Sequence, residues 1–416
     1  MDVKYKHVKP YNTKKMPCRQ PFWATAAIAF LSRVCMLGTK YTVDKQGMEA
    51  LKPPYILLSN HMYFVDFYLC AMATFPHRLN NIATIDGYYR RPFLMEMLGC
   101  ICKRKFTTDL HLFRAINHVL KKHGDVLCMY PEARYSPIGT TAILPDSLGK
   151  MIKLSGVPVA VLLHHGNYLH TPFWNYRKPR KVPLHTTIKQ VLSAQQVKEM
   201  TAREINEVIR REMSYDEYRW QRENKIKIDE PFRAEGLHKV LYQCPACQTE
   251  HEMASDGSEI FCKACGKAWE MDEYGVLHAK TGETEFAHIP DWFEWERAQV
   301  RSQIENGQYH FEDEVEVYSL PGAMRFIPLG KAKLTHSTEN GLVLEGHYNG
   351  APYRIVRDPR SMYGLHVEYD YCYIKPFDCI DISTENDSFY CYPKKQNVIT
   401  KLSFAVEEIF KHYQER

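Results

Sequence analysis

The sequence has 416 residues, enough for two or three domains with sizeable cores. Its hydrophobic content of 45% and charged content of 25% are those of an ordinary globular protein, which excludes a disordered or fibrous chain. The 13 cysteines are an odd number without one regular spacing, which argues against a secreted disulfide framework. The net charge of +5 is mild but unevenly placed along the chain.

The N-terminal segment is basic and leads into an apolar stretch at residues 22–31. The cations of this segment are Lys4, Lys6, Lys9, Lys14, Lys15 and Arg19. Ten residues at a helical rise of about 1.5 Å each cannot cross a hydrocarbon core of about 30 Å. Since no other segment reaches eighteen apolar residues, the sequence predicts no membrane-spanning helix.

Three interpretations of residues 1–40 are open. A signal peptide is disfavoured because the basic region is long and no clear small-x-small cleavage site follows it. A helix packed on the protein's own core is the second interpretation. We favour an interfacial helix, whose cations are attracted to anionic lipid while its apolar face enters the headgroup region. This interpretation predicts a cytoplasmic protein that associates peripherally with a membrane lipid surface.

A histidine and an aspartate lie five positions apart, next to a short apolar run at residues 55–58. That run predicts a buried strand and residues 64–75 predict a helix, which places His61 at a strand end and Asp66 in the first helical turn. A turn of this length can bring the carboxylate onto one ring nitrogen, and the other nitrogen is left to take a proton. Taken alone, such a pair is more often two solvated loop residues.

The segments that follow alternate between strands and helices. Helices are predicted at residues 109–123 and 148–155, and strands at residues 125–130 and 157–163. This order predicts an α/β domain, a layered mixed sheet with helices, whose sites lie at strand ends. Two polar turns accompany these elements. The first consists of Lys103, Arg104 and Lys105, and the second of Glu132, Ala133 and Arg134.

From about residue 41 to residue 192 the chain resembles the glycerophospholipid acyltransferase family. The family pattern is N-H-x4-D, a glycine-rich segment that ends in arginine, F-P-E-G-T-R-S and a G-x-P strand. This chain has Asn60-His61 with Asp66, then the basic turn, then Tyr130-Pro131-Glu132-Ala133-Arg134, then Gly156-Val157-Pro158. The resemblance implies acyl transfer, with the His61 and Asp66 pair as base and orienting group and with the two polar turns holding the phosphate of the acyl acceptor.

The two polar turns depart from the family pattern. Ala133 replaces the family glycine, Arg134 lies one position early, and Lys105 stands where the family has arginine. Arginine binds a phosphate bidentately, whereas lysine is a point charge, so the departures leave the identity of the acceptor open. A solvated basic turn is the alternative interpretation of residues 103–105.

Four cysteines form two matched C-x2-C pairs with fourteen residues between them. The pairs are Cys244 with Cys247 and Cys262 with Cys265, and two such knuckles make a tetrahedral thiolate site for zinc. Because all four ligands come from the protein, we predict a structural zinc ion with no position for a reacting water. The stretch between the pairs contains four acidic residues and no lysine or arginine, so nucleic acid is not an expected partner.

The C-terminal part is rich in predicted strands. They lie at residues 315–320, 341–346, 353–356, 363–369 and 388–392. An amphipathic helix closes the chain, with Val398, Leu402, Ala405, Ile409 and Tyr413 on one side. Several antiparallel strands followed by one helix look like a pleckstrin-homology-type barrel, a resemblance of element order alone.

The sequence thus predicts four parts: a basic arm with a membrane-binding helix (1–40), an acyltransferase domain (41–228), a zinc ribbon (229–280) and a helix followed by a β-rich domain (281–416). We expect an enzyme of phospholipid synthesis that moves a fatty acyl group from acyl-CoA or acyl carrier protein to the hydroxyl of a lysophospholipid. The favoured acceptor is 1-acylglycerol 3-phosphate. The alternative is a catalytically inactive lipid- or protein-binding scaffold, against which the intact His61 and Asp66 pair argues.

Overall fold

The computed structural model describes residues 3–5, 8–107 and 110–414. Lys6 of the basic segment lies outside them. The chain divides into two compact units. The central unit consists of Asn12–Lys103 and Thr108–Ile228, and the C-terminal unit consists of Met1–Tyr11, Arg104–Thr107 and Asp229–Arg416.

A seven-stranded mixed sheet forms the middle of the central unit, as far as its residues are described. Its strands are β1 (Tyr41–Gln46), β2 (Tyr55–Ser59), β3 (Leu79–Thr84), β4 (Ile101–Lys103), β5 (Val126–Met129), β6 (Val159–His165) and β7 (Leu184–Leu192). Their order across the sheet is β1-β7-β6-β2-β5-β3-β4. Strands β2 to β6 are parallel to one another, and β7 is antiparallel to β6. The carboxyl ends of five strands therefore lie at one end of the sheet.

Helices cover this sheet. They are α1 (Phe22–Cys35), α2 (Val65–Thr74), α3 (Pro92–Met97), α4 (Leu110–Asn117), α5 (Ser147–Ser155), α6 (Asn167–His170), α7 (Ala194–Glu199), α8 (Ala202–Met213) and α9 (Glu217–Glu223). A π-helical segment, His118–His123, continues α4 and ends at Gly124, whose φ of 66° suits a residue without Cβ. The α/β layers predicted from the sequence are therefore present.

Strand β2 is buried on both faces, as the strands of a covered parallel sheet are. Its side chains alternate between two cores because successive residues of a strand point to opposite faces. Ile56 and Leu58 join a cluster that includes Ile116 of α4 and Ile152 of α5, whereas Leu57 lies in a second cluster with residues of β5. The residues after β2 thus start from a rigid strand end.

Helix α1 has an unusual distribution of side chains. The residues that it buries are small: Ala24, Thr25, Ala29 and Ser32. The large apolar residues that it exposes are Phe22, Trp23, Phe30, Leu31 and Val34. A surface helix of a globular protein normally buries its large apolar residues and exposes polar ones.

Within the described ranges, no helix is long and apolar enough to span a bilayer.

The first described sheet of the C-terminal unit is small and antiparallel, and it lies in the predicted zinc ribbon. Its strands are β8 (Met253–Asp256), β9 (Glu259–Cys262), β10 (Ala268–Met271) and β11 (Leu277–Ala279). Helix α10 (Ile289–Glu305) follows. The helix predicted before the β-rich part is therefore present.

A second, antiparallel sheet makes up the β-rich part, with seven strands in the described residues. They are β12 (Phe311–Ser319), β13 (Ile327–Ser337), β14 (Gly341–Tyr348), β15 (Ala351–Arg357), β16 (His366–Glu368), β17 (Cys379–Ser383) and β18 (Ser388–Pro393). Their order is β15-β14-β13-β12-β18-β17-β16. Helix α11 (Ile399–Gln414) packs against α10. The β-rich domain and its closing helix are as predicted, and the pleckstrin-homology-type barrel stays a prediction.

Candidate active site and metal centre

His61 and Asp66 lie in the turn that joins β2 to α2. Strand β2 ends at Ser59 and α2 begins at Val65, so Asp66 occupies the first turn of the helix. The Nδ1 atom of His61 lies 3.0 Å from Oδ2 of Asp66. The structure thus brings together the two residues that the sequence pairs.

The carboxylate of Asp66 is fully buried and accepts several hydrogen bonds. Its Oδ2 accepts from the backbone N–H groups of Met62, at 2.6 Å, and Tyr63, at 3.1 Å. Its Oδ1 accepts from Nδ2 of Asn167 at 2.6 Å. Burial alone would raise the pKa of Asp66, but nearby His164 and the hydrogen bond from His61 outweigh it and lower this pKa below its ordinary value.

The charge on Asp66 determines which nitrogen of His61 carries the proton. An ionised carboxylate only accepts hydrogen bonds, so Nδ1 of His61 is the donor and Nε2 of the neutral ring has the free lone pair. The ring is stacked on Tyr130, with centroids 3.8 Å apart, and lies 4.3 Å from the ring of Tyr135. The side chain of His61 remains 22% exposed. An oriented, accessible imidazole of this kind can act as a general base.

The turn after β5 is attached to the turn of His61 and encloses Glu132. The backbone N–H of Ser136 donates to the carbonyl of His61 at 2.8 Å. Glu132 is buried, and its Oε2 accepts from the backbone N–H of Ala142 at 2.9 Å. Burial raises the pKa of Glu132 to about 7, because that N–H and the charge of Arg134 offset only part of the desolvation cost. Glu132 therefore supports the turn from inside, and its contact with a substrate stays a prediction.

Ala133 adopts a left-handed backbone conformation that favours glycine. Its φ is 56°, in the left-handed region, where an L-residue costs about 1–2 kcal/mol. Its N–H donates to the carbonyl of Tyr130 at 3.0 Å and closes the turn. The turn thus holds an alanine in a backbone conformation that glycine adopts without strain. The side chain of Arg134 follows it and is 8% exposed.

The three cations of the basic turn have different surroundings. Lys103 is the last residue of β4, so it lies at the same end of the sheet as His61. Arg104 belongs to the C-terminal unit and is 2% exposed. Its guanidinium donates to the carbonyls of Leu320, at 3.2 Å, and Pro321, at 3.0 Å, and to the hydroxyl of Ser388 at 3.0 Å.

Lys105 is buried in the C-terminal unit as well. Its Nζ donates to Oδ2 of Asp381 at 2.8 Å and lies 3.7 Å from Oε1 of Glu368. The interpretation of residues 103–105 as a solvated turn is therefore wrong for Arg104 and Lys105. Both side chains donate hydrogen bonds to protein groups that are far away in sequence.

Two asparagines of this site were not identified from the sequence as functional. Asn60 accepts from the N–H of His164 at 2.8 Å and donates to the carbonyl of the same residue at 3.0 Å, which fastens the end of β2 to β6. Asn167 follows β6 and holds Asp66. Each asparagine follows an apolar strand, and a polar residue at such a position could have indicated a functional role, because hydrophobic periodicity does not explain it.

The four paired cysteines converge in the C-terminal unit. The Sγ atoms of Cys244 and Cys265 are 3.8 Å apart, and those of Cys247 and Cys262 are 3.7 Å apart. All four lie within 4.8 Å of one another. A zinc–sulfur bond of about 2.3 Å in tetrahedral geometry gives a sulfur–sulfur separation of about 3.8 Å. The donor set and its dimensions therefore fit a zinc ion with four protein ligands.

Helix α10 supports the first cysteine knuckle. Oε1 of Glu296 accepts from the backbone N–H of Gln243 at 2.7 Å, and Nε1 of Trp292 donates to the carbonyl of the same residue at 3.0 Å. Gln243 directly precedes Cys244, so both contacts fix the approach to the knuckle. The nearby His251 is stacked on Tyr242 and is not part of the cysteine cluster.

No family model matches the sequence, and no curated protein does so either. Among solved structures, the chain is similar to one described as the 1-acyl-sn-glycerophosphate (LPA) acyltransferase, PlsC, from Thermotoga maritima. The identity is 19% and the TM-score is 0.33, over 46% of this chain and 79% of that chain. Function therefore has to be inferred from the geometry of the site.

Proposed function

We propose that this protein is an acyltransferase that uses His61 as a general base. The proposal is carried by the buried, charged carboxylate of Asp66, which receives Nδ1–H of His61 and leaves Nε2 to accept a proton. A buried carboxylate is costly unless several donors stabilise it. Two solvated loop residues would need neither the backbone donors nor Asn167.

The proposed reaction moves an acyl group from a thioester to an alcohol. The hydroxyl of the acceptor gives its proton to Nε2 of His61 while its oxygen attacks the carbonyl carbon. A carbon–oxygen bond forms, the carbon–sulfur bond breaks, and the proton passes from Nε2 to the departing thiolate. Asp66 orients the ring and stabilises the imidazolium that forms in between. The donor would be acyl-CoA or an acyl carrier protein.

The proposed acceptor is a lysophospholipid, with 1-acylglycerol 3-phosphate favoured. Lys103 and Arg134 are the cations that we assign to its phosphate, because both lie at the carboxyl end of the parallel strands. Arg134 follows β5, which pairs with β2, and Lys103 ends β4, two strands further along the sheet. Arg104 and Lys105 are less suited than the sequence suggested. If Lys105 moved away from Asp381, the buried carboxylate would lose its partner, at a cost of about 3–5 kcal/mol.

We further propose that α1 places the enzyme on a bilayer. The support for this proposal is the exposed apolar face of the helix, which matches an interfacial helix. The cations before α1 contribute less than the sequence suggested, since Lys15 pairs with Glu96 and Arg19 pairs with Asp125.

Paired substitutions on α1 test the membrane proposal. Trp23→Ser with Phe30→Ser should reduce cosedimentation with vesicles and lower activity on a vesicle-borne acceptor more than on a short-chain, water-soluble one. Leu154→Ser, at an apolar residue of α5 that is 63% exposed, is the matched control. An equal loss on both acceptors would place this face in the folded core and defeat the proposal.

For the C-terminal unit we propose a structural zinc ion on Cys244, Cys247, Cys262 and Cys265 and a pleckstrin-homology-type arrangement of the second sheet with α11. The sulfur separations support the first and the strand order supports the second. Elemental analysis of freshly purified protein should find one zinc per chain, and Cys265→Ser should lower that content. A preparation free of zinc and of any other thiophilic metal would refute the site.

The acyltransferase proposal is tested by product analysis. The full chain is incubated with labelled acyl-CoA, or with labelled acyl carrier protein, and a panel of lysolipids that differ in headgroup. The products are identified by mass. A diacylated product from a phosphate-bearing lysolipid is expected.

The panel also separates the enzyme from the alternative scaffold. Vesicle binding without product from any acceptor or either donor would favour the inactive lipid-binding scaffold. The retained His61 and Asp66 pair favours the enzyme, because a scaffold would not need to keep a base oriented.

A further inference from the structure

The second sheet carries aromatic side chains around the ammonium group of Lys375. Strands β12 and β18 pair so that Glu316 lies opposite Tyr392. Tyr318 is two residues further along β12 and so points to the same face. Lys375 and Phe377 come from the segment between β16 and β17. We call the group formed by Glu316, Tyr318, Phe377 and Tyr392 the Lys375 cage.

The rings of the Lys375 cage surround one cation. The Nζ atom lies 4.7 Å from the ring centroid of Tyr392, 5.7 Å from that of Tyr318 and 5.9 Å from that of Phe377. All three distances fall within the range of about 6 Å in which a ring face attracts an ammonium group. The rings of Tyr318 and Tyr392 meet at 83°, with centroids 5.8 Å apart, and form two perpendicular walls.

A carboxylate completes the cage. Glu316 forms an ion pair with Lys375 and also accepts a hydrogen bond from the hydroxyl of Tyr318 at 2.5 Å. The cage therefore combines three ring faces with one negative charge.

A neighbouring ion pair between β12 and β13 shows that a surface lysine can be paired without such a cage. Lys331 pairs with Glu314 at 2.9 Å, and its side chain is 75% exposed. The side chain of Lys375 is 25% exposed. An exposed pair contributes little to stability, so an ordinary ion pair gives no reason for three converging rings. Those rings are the components from which proteins build ammonium-binding sites.

We propose that the Lys375 cage binds an alkylammonium group, as found in choline and ethanolamine compounds, and that Lys375 fills the cage when no ligand is bound. A quaternary ammonium group has no hydrogen-bond donor to satisfy, and ring faces with one carboxylate suit it. Lys375 can withdraw because its charge is carried on a flexible four-carbon stem. Phe377 is 53% exposed and forms the open side of the cage.

The test removes the internal occupant from the full-length protein. Lys375→Ala should bind tetramethylammonium, measured by isothermal titration, about tenfold more tightly than the wild type, because the competing ammonium is absent. Lys333→Ala is the matched control, since it removes a lysine from the ion pair with Glu312, at 2.8 Å, on strands β12 and β13. This control should bind as the wild type does.

Two second-site variants show whether the gain comes from the cage. Adding Phe377→Ala or Glu316→Gln to Lys375→Ala should remove most of the gain, and both residues are exposed enough for the fold to tolerate the change. Equal binding by Lys375→Ala and Lys333→Ala would overturn the proposal. So would a gain that survives both second-site variants.

Vesicles identify where the ammonium group comes from. If it belongs to a lipid headgroup, phosphatidylcholine vesicles should retain Lys375→Ala better than Lys333→Ala, and tetramethylammonium should compete. If it belongs to a soluble compound, phosphocholine should bind in titration while the two variants bind vesicles equally. Either result supports an alkylammonium site, and the absence of both contradicts it.

Discussion

Two buried carboxyl groups follow neighbouring parallel strands, and their pKa values are shifted in opposite directions from the ordinary value. Asp66 follows β2, and its pKa is lowered because nearby charge and hydrogen bonds outweigh burial. Glu132 follows β5, and burial raises its pKa to about 7. Strands β2 and β5 are directly paired, so the two groups share one end of one sheet.

The difference indicates that nearby charge and hydrogen-bond donors, and not burial alone, set the pKa of a buried carboxyl group. Asp66 receives two backbone N–H groups, an amide and an imidazole N–H, and it stays charged to orient a base. Glu132 has the N–H of Ala142 on one oxygen and more easily remains neutral. In the proposed mechanism, Asp66 orients the base and Glu132 holds a turn.

The largest expected effect follows from removing the group that Asp66 orients. His61→Ala should lower acyl transfer by about 100- to 10,000-fold, the usual contribution of a general base. Single-turnover rates with labelled acyl-CoA measure the loss, and thermal melting shows whether the variant is folded. His185→Ala, on β7, is the control and should leave the rate unchanged. Near-normal turnover by folded His61→Ala would contradict the mechanism.

A smaller effect should distinguish Glu132 from Asp66 by the pH dependence of stability. Between about pH 4.5 and 7 the folded protein keeps the Glu132 proton that the unfolded chain has released, so its contribution to the free energy of unfolding falls as pH rises. Glu132→Gln removes this term. The variant should therefore gain stability relative to the wild type across that window, by no more than about 3 kcal/mol.

Urea denaturation at several pH values measures the Glu132 term. Asp66→Asn supplies the contrast, because the lowered pKa of Asp66 stabilises the wild type above about pH 4, and this contribution is lost as pH falls below that value. A stability difference between Glu132→Gln and the wild type that does not change between pH 4.5 and 7 would mean that Glu132 titrates normally.

The smallest effect concerns the backbone of the Glu132 turn. Ala133→Gly should stabilise the central unit by about 0.5–1 kcal/mol, because relief of the left-handed strain exceeds the added entropy of glycine in the unfolded chain. Ala27→Gly, in the middle of α1, should destabilise by a similar amount. Denaturation midpoints measure both changes, and a loss of stability in Ala133→Gly would show that the turn does not strain its alanine.

The alternation of strands and helices was predictable because the buried strands are apolar runs with turn residues on either side. The predicted strands at residues 55–58, 125–130 and 157–163 correspond to β2, β5 and β6. Strands β1 and β3 were missed for physical reasons. Most of β1 is exposed and polar, and β3 contains Asn80, whose side chain is buried and donates to the carbonyl of Gly99.

The site was predictable only where its partners are close in sequence. The contact between His61 and Asp66 spans five positions, and the two cysteine knuckles are each local. The contact of Asp66 with Asn167 spans 101 positions, and that of Lys105 with Asp381 spans 276. Such partners depend on strand order, which periodicity does not reveal, so the sequence could not show that Lys105 pairs with Asp381.

The most direct test of the account is the position of the proton on the His61 ring. Long-range 15N–1H correlation spectra of histidine-labelled protein, assigned with His61→Ala and recorded where the ring is neutral, distinguish the two tautomers. We expect Nδ1 to be protonated and Nε2 to be free, and we expect Asp66→Asn to abolish this preference. A His61 ring protonated on Nε2 in the wild-type protein would contradict the claim that Asp66 prepares this histidine to act as a base.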